Sequence, residues 1–354
     1  MKKNNYNVIG VMSGTSLDGV DLAHIQFQLN DKKWTFEILE SETIGYSNDW
    51  INHLKLAVDY PETELEKLNE DYTKLLTSII SSFIEKHKIE NLDAVCSHGH
   101  TILHQPEKGL TLQIGNLPEI STLTHQTVVC DFRVQDVKLG GQGAPLVPIG
   151  DRILFSEYDY CMNLGGFSNV SFEQNEERIA FDISPVNTVL NFYANQLGLN
   201  YDDKGQISRT GNINENLLNE LNALEYYQQK FPKSLGFEFV KGTVLPLIEK
   251  YEIPIEDKLH TFTEHIAFQT ALALPNKKGR ILITGGGAYN DFIIERIQYY
   301  LTEMEIVIPS AKILEYKEAL IFALLGVLKL RGEINVLSSV TGAKKDHSSG
   351  EIYS

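Results

Sequence analysis

Two segments of the chain follow the same pattern, and this repeat limits the possible folds more than any other feature. The first, residues 7–44, runs from "NVIGVM" through the turn "SGTSLDG" into "VDLAHIQFQL" and "KWTFEILESETI". The second, residues 158–184, runs from "YDYCMNLGG" through "SNVSFEQ" to "RIAFDIS". Alternation of apolar and polar residues predicts three consecutive strands in each segment. The repeat therefore predicts an α/β chain of two similar domains.

The length and the helical patterns are consistent with two domains. The chain has 354 residues, of which 42% are hydrophobic and 22% charged, which is enough apolar material for two cores. Apolar residues at three-and-four spacing predict a long amphipathic helix over 63–87. Further helices are expected over 186–197, 214–229, 263–274, 291–301 and 316–330, and further strands at "LDAVCSHG", "TVVCDF", "RILITGGG" and "EIVIP". We expect an N-terminal domain over 1–150 and a second over 151–330. Segment 331–354 is a candidate to complete the first domain.

Charge and cysteine usage narrow the setting of the protein. The formal net charge is −16, with 47 acidic and 31 basic residues, so the chain repels nucleic acid and anionic membranes, and neither is expected as a partner. Cys96, Cys130 and Cys161 are isolated, which argues against a disulfide framework and for a reducing compartment. The N-terminal apolar run is too short for a signal peptide. We expect a cytoplasmic protein in which Cys96 and Cys130 are packing thiols. The polar tail 343–354 is expected to be loosely held.

The turn after the first strand has the residue types of a phosphate-binding loop. Its small and acidic members are Ser13, Gly14, Thr15, Ser16, Asp18, Gly19 and Asp21. Hydroxyls and glycines suit a loop around a terminal phosphate, and Asp18 and Asp21 could hold a hydrated Mg²⁺ beside it. On the residues alone, a β-hairpin whose turn residues serve only local geometry stays open.

Glycine clusters indicate a nucleotide. If the two halves face each other, both glycine turns converge on one interdomain cleft, where backbone N–H groups can hold a polyphosphate. A third cluster, "ITGGGAYN" (283–290), stands between a strand and a helix, where missing side chains would let a flat nucleotide approach the backbone. These features predict ATP. The chain has no G-x-x-x-x-G-K-[ST] loop, so it is not a P-loop enzyme.

Motifs along nearly the whole chain resemble those of one family. "GVMSGTSLDGVD" (10–21) is similar to the signature of the anhydro-N-acetylmuramic acid kinases, bacterial cell-wall recycling enzymes of the actin, Hsp70 and sugar-kinase superfamily. The other segments that carry the resemblance are "SHGHTILHQP" (97–106), "DFR" (131–133), "GGQGAPLVP" (140–148), "NLGGFSN" (163–169), "FDISPVN" (181–187), "FPKSLGFE" (231–238), "TGGGAYN" (284–290), "EALIFALL" (318–325) and "SSVTGA" (338–343).

The resemblance implies a fold and an activity. The fold is two actin-like (RNase H-like) ATPase domains with an interdomain cleft. The activity is ATP-dependent conversion of 1,6-anhydro-N-acetylmuramic acid and water to N-acetylmuramic acid 6-phosphate, in peptidoglycan recycling. Members are often dimers, which leaves a homodimer open. The residues expected at ATP and its phosphates are Gly14, Thr15, Ser16, Leu17, Asp18, Gly19, Val20, Asp21, Gly165, Gly166, Gly285, Gly286 and Gly287, with Mg²⁺ near Asp18 and Asp21.

The resemblance also implies catalytic and sugar-binding residues, each with a structural alternative. Asp182 matches the family's general base, which activates water for attack on the anomeric carbon. Its alternative is a cap for the helix that begins near Val186. Arg133 matches a sugar-binding arginine. Its alternative is an ion pair with Asp131 or Asp136.

Glu318 is expected to face substrate, and its alternative is a first-turn glutamate favoured by the helix dipole. The histidines His98, His100 and His104 form an HxHxxxH pattern that could ligate zinc, and on a strand His98 and His100 would share a face. We favour hydrogen bonds from His98 and His100 to substrate or within the cleft wall. The corresponding family motif, "SHGQT", lies near the sugar and has glutamine where this chain has His100.

Several positions depart from the commoner family pattern. Ile183, Ser184 and Val186 replace Thr, Gly and Gly. Asn191 replaces an aspartate and Phe237 an arginine. Together with His100, these departures leave two alternatives open. One is a kinase for a different amino sugar, and the other is a nucleotide-gated binding protein without turnover.

Overall fold

The computed structural model describes residues 2–14 and 17–354. Its strands are β1 (Asn5–Ser13), β2 (Val20–Asn30), β3 (Lys33–Ile44), β4 (Ala94–Gln105), β5 (Leu110–Ile114), β6 (Val128–Cys130), β7 (Tyr160–Leu164), β8 (Phe167–Gln174), β9 (Glu177–Pro185), β10 (Lys278–Thr284), β11 (Glu303–Val307) and β12 (Glu351–Tyr353). Its helices are α1 (Asn48–Leu56), α2 (Glu62–Lys86), α3 (Glu119–Thr124), α4 (Val134–Lys138), α5 (Val147–Leu154), α6 (Asn187–Gln196), α7 (Gln206–Thr210), α8 (Glu215–Asn222), α9 (Glu225–Gln228), α10 (Phe237–Phe239), α11 (Leu245–Glu249), α12 (Ile255–Ala273), α13 (Asp291–Tyr300), α14 (Ala311–Leu330) and α15 (Ser338–Thr341).

The chain divides into two compact units. Unit 1 comprises Met1–Leu154 together with Tyr316–Ser354, and unit 2 comprises Phe155–Glu315. The division falls within α14, at Tyr316, whose backbone angles (φ −110°, ψ 16°) interrupt the helix. Within residues 2–14 and 17–354, no helix is both long enough and apolar enough to cross a membrane.

The sheet of unit 1 has the strand order β12-β6-β4-β1-β2-β3, with β5 paired to β4 as a hairpin. β1, β2 and β3 are antiparallel neighbours, as the sequence predicts, and β4 and β6 continue the sheet in parallel with β1. The predicted helix over 63–87 is α2, whose buried residues Leu65, Leu68, Tyr72, Leu76, Ile80 and Phe83 lie on one face. They form one core with Ile9, Val11 and Val95 of the sheet.

The sheet of unit 2 repeats the same plan in the order β11-β10-β7-β8-β9. β7, β8 and β9 are antiparallel neighbours, and β10 and β11 continue in parallel with β7. Both units therefore carry a three-stranded antiparallel meander whose first strand also pairs with a parallel strand. The expected α/β fold with two similar actin-like domains is confirmed by this repeated strand order.

Two helices of unit 2 differ from the sequence prediction. The helix expected over 263–274 begins eight residues earlier, because Pro254 fixes an extended conformation before Ile255 and the buried Leu259 and Phe262 extend its apolar face. The single helix expected over 214–229 is two helices, α8 and α9. The break lies at Leu224 (ψ 138°), where neither glycine nor proline marks a helix end in the sequence.

The prediction of a loosely held tail is wrong. Strand β12 pairs antiparallel with β6 in the register Glu351 to Cys130 and Tyr353 to Val128. The amide of Ser349 donates to the buried Asn335 side chain over 2.7 Å, and the Ser349 hydroxyl donates to the carbonyl of Phe132 over 2.7 Å. Polar composition misled the prediction, because serine and asparagine bury readily once their hydrogen bonds are made within the fold.

A candidate active site

The first strand of unit 1 ends in a buried network of hydroxyls. The Ser13 hydroxyl lies 2.6 Å from the Tyr46 hydroxyl and 2.7 Å from His100 Nδ1. The Tyr46 hydroxyl in turn lies 2.5 Å from that of Tyr72, which is fully buried on α2. Burial lowers the pKa of His100 to about 4, so its imidazole is neutral near pH 7. Ser13 is thereby held at the start of the polar turn.

His98 contacts a different part of unit 1. Its ring packs on Phe322 of α14 with ring centroids 4.6 Å apart, whereas His100 packs near Tyr72 of α2. The prediction that the two histidines share a face of the strand is therefore wrong. The cause is a β-bulge: Val11 pairs with Ser97 and Ser13 with His100, while Gly99 takes the left-handed conformation (φ 73°) that favours glycine.

Arg133 is held by His98 and by the glycine-rich loop. Its Nε donates to His98 Nε2 over 2.8 Å, and its Nη1 donates to the carbonyl of Gly143 over 2.7 Å. Since Nε2 of His98 accepts, Nδ1 carries the proton and donates to the carbonyl of Gly99 over 2.9 Å. Burial, with the nearby Arg133 charge, holds the pKa of His98 well below its usual range. Burial also lowers the pKa of Arg133 to about 10, against the opposing effect of Glu318.

Asp136 binds other groups than the side chain of Arg133. Asp136 is fully buried and accepts hydrogen bonds from the Gly143 amide and from the Thr341 hydroxyl, each over 2.7 Å. Asp136 therefore holds the loop whose Gly143 carbonyl accepts the hydrogen bond from Arg133. The described residues give no hydrogen bond or ion pair within 4 Å from Arg133 to Asp131 or Asp136, although the charge of Asp136 acts on it.

Three carboxylates belong to the same part of unit 1. Asp18 is exposed in the turn, and Asp21 accepts a hydrogen bond from Thr43 Oγ1 over 2.6 Å. Glu318 lies on α14 beyond the interruption at Tyr316, in the first turn of the regular helix that follows. Protein atoms around Glu318 raise its pKa although the side chain keeps access to solvent. Arg133 opposes this rise, and Asp21 and Asp18 add to it.

The acidic turn has the chemistry of a Mg²⁺ site, since carboxylates are the ligands that Mg²⁺ takes from proteins. Within the described ranges no three His, Cys, Asp or Glu side chains are grouped closely enough to hold a metal by themselves. Asp18 and Asp21 fit a hydrated ion that keeps most of its waters. The third histidine of the HxHxxxH pattern, His104, has its Nδ1 3.1 Å from the Thr111 hydroxyl. Thr15 and Ser16, predicted at the phosphates, lie outside the described residues.

The two glycine clusters of unit 2 lie side by side. The carbonyls of Gly165 and Gly166 accept the amides of Asn187 and Val186, at the start of α6. Gly285 has φ 85°, and a Cβ there would stand 2.6 Å from Asn163 Oδ1 and 2.8 Å from the carbonyl of Leu164. Glycine is therefore required at Gly285, and Gly166 and Gly286 leave the local surface without side chains.

Asp182 lies on β9 at a second β-bulge. Asn169 pairs with Asp182 and Ser168 with Ser184, so Ile183 is the extra residue. Oδ2 of Asp182 accepts the amide of Leu235 over 2.8 Å, while the described residues provide no hydrogen bond to Oδ1. Burial raises the pKa of Asp182, and the Leu235 amide lowers it. Helix α6 has no side-chain cap, so Asp182 does not cap it.

Most departures from the family pattern around Asp182 lie in the core of unit 2. Ile183, Ser184 and Val186 are buried, and the Ser184 amide donates to the Ser168 hydroxyl over 3.1 Å. Phe237 is exposed, with the Lys241 ammonium 4.9 Å from its ring centroid. Among the described residues, none of these four side chains donates a hydrogen bond to the Asp182 carboxylate.

Sequence reasoning overlooked Tyr46, Tyr72 and Lys233. Tyr72 is one of the residues whose three-and-four spacing predicts the helix over 63–87, and that spacing gives its hydroxyl no role. A tyrosine in such a stripe has a hydroxyl that needs a partner once buried, and this was the available signal. Lys233 lies in the motif "FPKSLGFE" (231–238), and the contacts of its side chain are visible only in the fold.

A repeated α/β unit with a polar or glycine turn after its first strand is the plan that the family resemblance implies, two actin-like domains in one chain. The chain belongs to the anhydro-N-acetylmuramic acid kinase family, whose model matches residues 6–354. It is 34% identical to the anhydro-N-acetylmuramic acid kinase of Mannheimia succiniciproducens, over 98% of each chain. It is 31% identical to that of Hydrogenovibrio crunogenus, over 98% of this chain and 97% of the relative. Among solved structures, the chain is similar to (R)-2-hydroxyglutaryl-CoA dehydratase component A of Acidaminococcus fermentans (TM-score 0.46, 15% identity, 93% of this chain and 100% of that chain).

Proposed function

We propose that the protein is an ATP-dependent kinase that converts 1,6-anhydro-N-acetylmuramic acid and water to N-acetylmuramic acid 6-phosphate, in peptidoglycan recycling. The observation that carries the proposal is the family match over residues 6–354 together with an Asp182 carboxylate that has one oxygen held and one to which none of the described residues donates. A carboxylate of raised pKa in this state suits a general base.

The reaction joins a hydrolysis to a phosphoryl transfer. Asp182 Oδ1 takes a proton from water while the water oxygen bonds to C1 of the sugar. The bond between C1 and O6 breaks, and O6 bonds to the γ-phosphorus of ATP as ADP leaves. Attack opposite the breaking bond is the geometry of inverting glycoside hydrolysis. The proton taken by Asp182 passes to solvent when product leaves.

Other residues bind and orient the substrates in this proposal. Arg133, with its Nε and one Nη1 hydrogen already used, presents its remaining donors to sugar oxygens, and His98 fixes its orientation. His100 and Glu318 complete the sugar contacts of unit 1. The turn Gly14–Asp21 of unit 1 and the clusters Gly165–Gly166 and Gly285–Gly287 of unit 2 bind the phosphates and the nucleotide. Mg²⁺ held through water by Asp18 and Asp21 would neutralise charge on the phosphates.

Product analysis tests the proposal. With ATP, Mg²⁺, 1,6-anhydro-N-acetylmuramic acid and ¹⁸O-water, we expect ADP release matched by a sugar 6-phosphate that carries ¹⁸O at C1. Asp182→Asn keeps the shape of the side chain and should slow turnover by about 10²-fold or more. Phosphorylated sugar without ¹⁸O at C1 would indicate a kinase for another amino sugar. ATP binding without turnover on any amino sugar would indicate a nucleotide-gated binding protein.

We further propose that the protein is cytoplasmic. The isolated cysteines, which are free and buried at all three positions, suit the reducing cytoplasm. The family resemblance leaves a homodimer open, and size-exclusion chromatography with light scattering would test it.

A further inference from the structure

Lys233 has an unusual environment in unit 2, because aromatic rings surround its ammonium group. Nζ lies 4.5 Å from the ring centroid of Tyr226 and 6.0 Å from those of Phe181 and Tyr227. Nζ also donates to the carbonyl of Tyr226 over 3.3 Å. Among the described residues no carboxylate lies within 4 Å of it, so rings and a carbonyl, rather than an ion pair, hold the charge. Burial lowers the pKa of Lys233.

The backbone on either side of Lys233 holds the proposed base. The carbonyl of Lys233 accepts the amide of Asp182 over 3.1 Å, and the amide of Leu235 donates to Asp182 Oδ2 over 2.8 Å. The Tyr226 hydroxyl donates to the carbonyl of Asp182 over 2.6 Å. Asp182 is therefore bound at its amide, its carbonyl and one carboxylate oxygen by the same two segments that the Lys233 side chain joins.

The rings of Phe181, Tyr226 and Tyr227 form a cage around the Lys233 ammonium. Further contacts hold two of these rings in place. Phe231 stacks on Phe181, the neighbour of Asp182, with ring planes 7° apart and centroids 5.4 Å apart. The Tyr227 hydroxyl lies 2.8 Å from His265 Nε2, and His265 Nδ1 lies 2.7 Å from the Asn222 side-chain oxygen. Since that oxygen can only accept, Nδ1 carries the proton and the Tyr227 hydroxyl donates to Nε2. Burial lowers the pKa of His265 to about 3, which keeps this support neutral.

We propose that Lys233 is a positioning residue for Asp182: its ammonium, clamped between Tyr226, Tyr227 and Phe181, fixes the segment 233–235 so that Oδ2 is tied to Leu235 and Oδ1 is left for the attacking water. This inference rests on the proposed function, because it gives Asp182 the role of base. As a positioning residue, Lys233 itself contacts neither the substrate nor the reacting atoms. Binding of the Lys233 ammonium by the cage thus orients the carboxylate of Asp182.

The decisive variant is Lys233→Met, which keeps the length of the side chain and removes the charge. We expect kcat to fall about 10-fold to 100-fold with the KM for ATP unchanged, because misplacing a reacting group by about 1 Å costs rates of this order. Weakening of the bond from Leu235 should raise the pKa of Asp182, so the acid limb of kcat/KM should move to higher pH. Lys233→Arg should restore most of the rate, since a guanidinium also binds aromatic faces.

Lys241→Met is the matched control. Lys241 makes the same type of contact, with Nζ 4.9 Å from the Phe237 ring centroid, in the same unit and without touching Asp182. It should leave kcat and its pH profile at wild-type values. Equal loss in the two methionine variants, or a Lys233→Met variant with a wild-type pH profile, would overturn the inference.

A direct titration separates this inference from the proposed function. The carboxyl carbon of Asp182 can be followed by ¹³C NMR in aspartate-labelled protein, assigned with Asp182→Asn, with no sugar present. A higher pKa of Asp182 in Lys233→Met than in wild type and Lys241→Met supports the positioning role even if the wild type fails to turn over the anhydro sugar. An unchanged pKa would sink the inference even if the wild type is an active anhydro-sugar kinase.

Discussion

Arg133 donates from Nε to Nε2 of His98 over 2.8 Å, so a guanidinium in the proposed sugar site is oriented by a neutral imidazole. A carboxylate in that place would neutralise the charge of Arg133. The imidazole fixes the guanidinium plane and leaves that charge to act on a ligand. The second anchor, the carbonyl of Gly143, is also uncharged. Within the part of the chain that the structure describes, Arg133 is therefore held in place without a direct ion pair.

Replacement of Arg133 by lysine should separate orientation from charge. Lysine keeps the positive charge but cannot reach His98 and Gly143 in a planar fork while facing a ligand. We expect the KM for the anhydro sugar to rise about tenfold or more, with the KM for ATP within about twofold of wild type. Steady-state kinetics with each substrate varied in turn would measure this. Equal increases for both substrates would contradict the assignment of Arg133 to the sugar.

The acidic turn predicts a change in metal requirement. Asp21→Asn keeps the hydrogen bond from Thr43 and removes one negative charge, so the half-saturating Mg²⁺ concentration should rise about tenfold at fixed ATP, since ligand charge drives Mg²⁺ binding. Chelation with EDTA should abolish turnover of the wild type. Asp31→Asn, in the turn between β2 and β3, is the control and should titrate like the wild type. A normal Mg²⁺ titration in Asp21→Asn would remove Asp21 from the site.

Burial of His100 predicts a loss of stability in acid. The pKa of His100 is about 4 in the folded protein and 6.5 without burial. Below about pH 6.5, His100 therefore binds a proton in the unfolded chain but stays neutral in the folded protein until the pH approaches 4. The free energy of unfolding therefore decreases as the pH falls from about 6.5 to about 4. For this one group the decrease between pH 7 and pH 5 is about 2 kcal/mol.

Urea unfolding at pH 7 and pH 5 checks this prediction. His100→Gln removes the titrating group, so the decrease in unfolding free energy between the two pH values should be about 2 kcal/mol smaller in this variant than in the wild type. His53→Gln changes an exposed histidine and should retain the wild-type decrease. The prediction fails if all three proteins lose the same amount.

Close packing between α14 and β4 predicts a coupled pair of substitutions. A Cβ at Gly326 would collide with Cys96 Sγ, so Gly326→Ala should lower the free energy of unfolding by about 1 kcal/mol or more, despite the better helix propensity of alanine. Cys96→Ala removes the sulfur, and the double variant should recover part of the loss. A double-mutant cycle by urea unfolding measures this coupling. Gly242→Ala has open space around its Cβ and should cost nothing, and strictly additive single effects would contradict the predicted contact.

The meanders, α2 and the repeated plan follow from the sequence because they depend on periodicity, which two apolar faces impose over many residues. The faces of His98 and of Ser184 could not be predicted in the same way. Each lies within a few residues of a β-bulge, at Gly99 and at Ile183, and one added residue reverses the alternation on which a prediction of faces depends.

The candidate site was predictable as residue types and less so as contacts. The sequence identified Asp182 and Arg133 only through family motifs, whereas their partners, Leu235, His98 and Gly143, lie from 10 to 53 positions away in the chain. Contacts of that separation depend on how strands and loops meet in three dimensions. For the same reason the rings around Lys233 and the identity of the partners of the Tyr46 and Tyr72 hydroxyls could not be predicted.

Strand β12 and most of α14 belong to unit 1 but follow the whole of unit 2 in the chain. During synthesis, β1 to β6 leave the ribosome while the neighbour of β6 and the apolar helix that covers Cys96 have not yet been translated. The edge of β6 and the face that contains Cys96 therefore stay uncovered in the nascent unit until unit 2 has been synthesised. The first unit to emerge is thus the last to be completed.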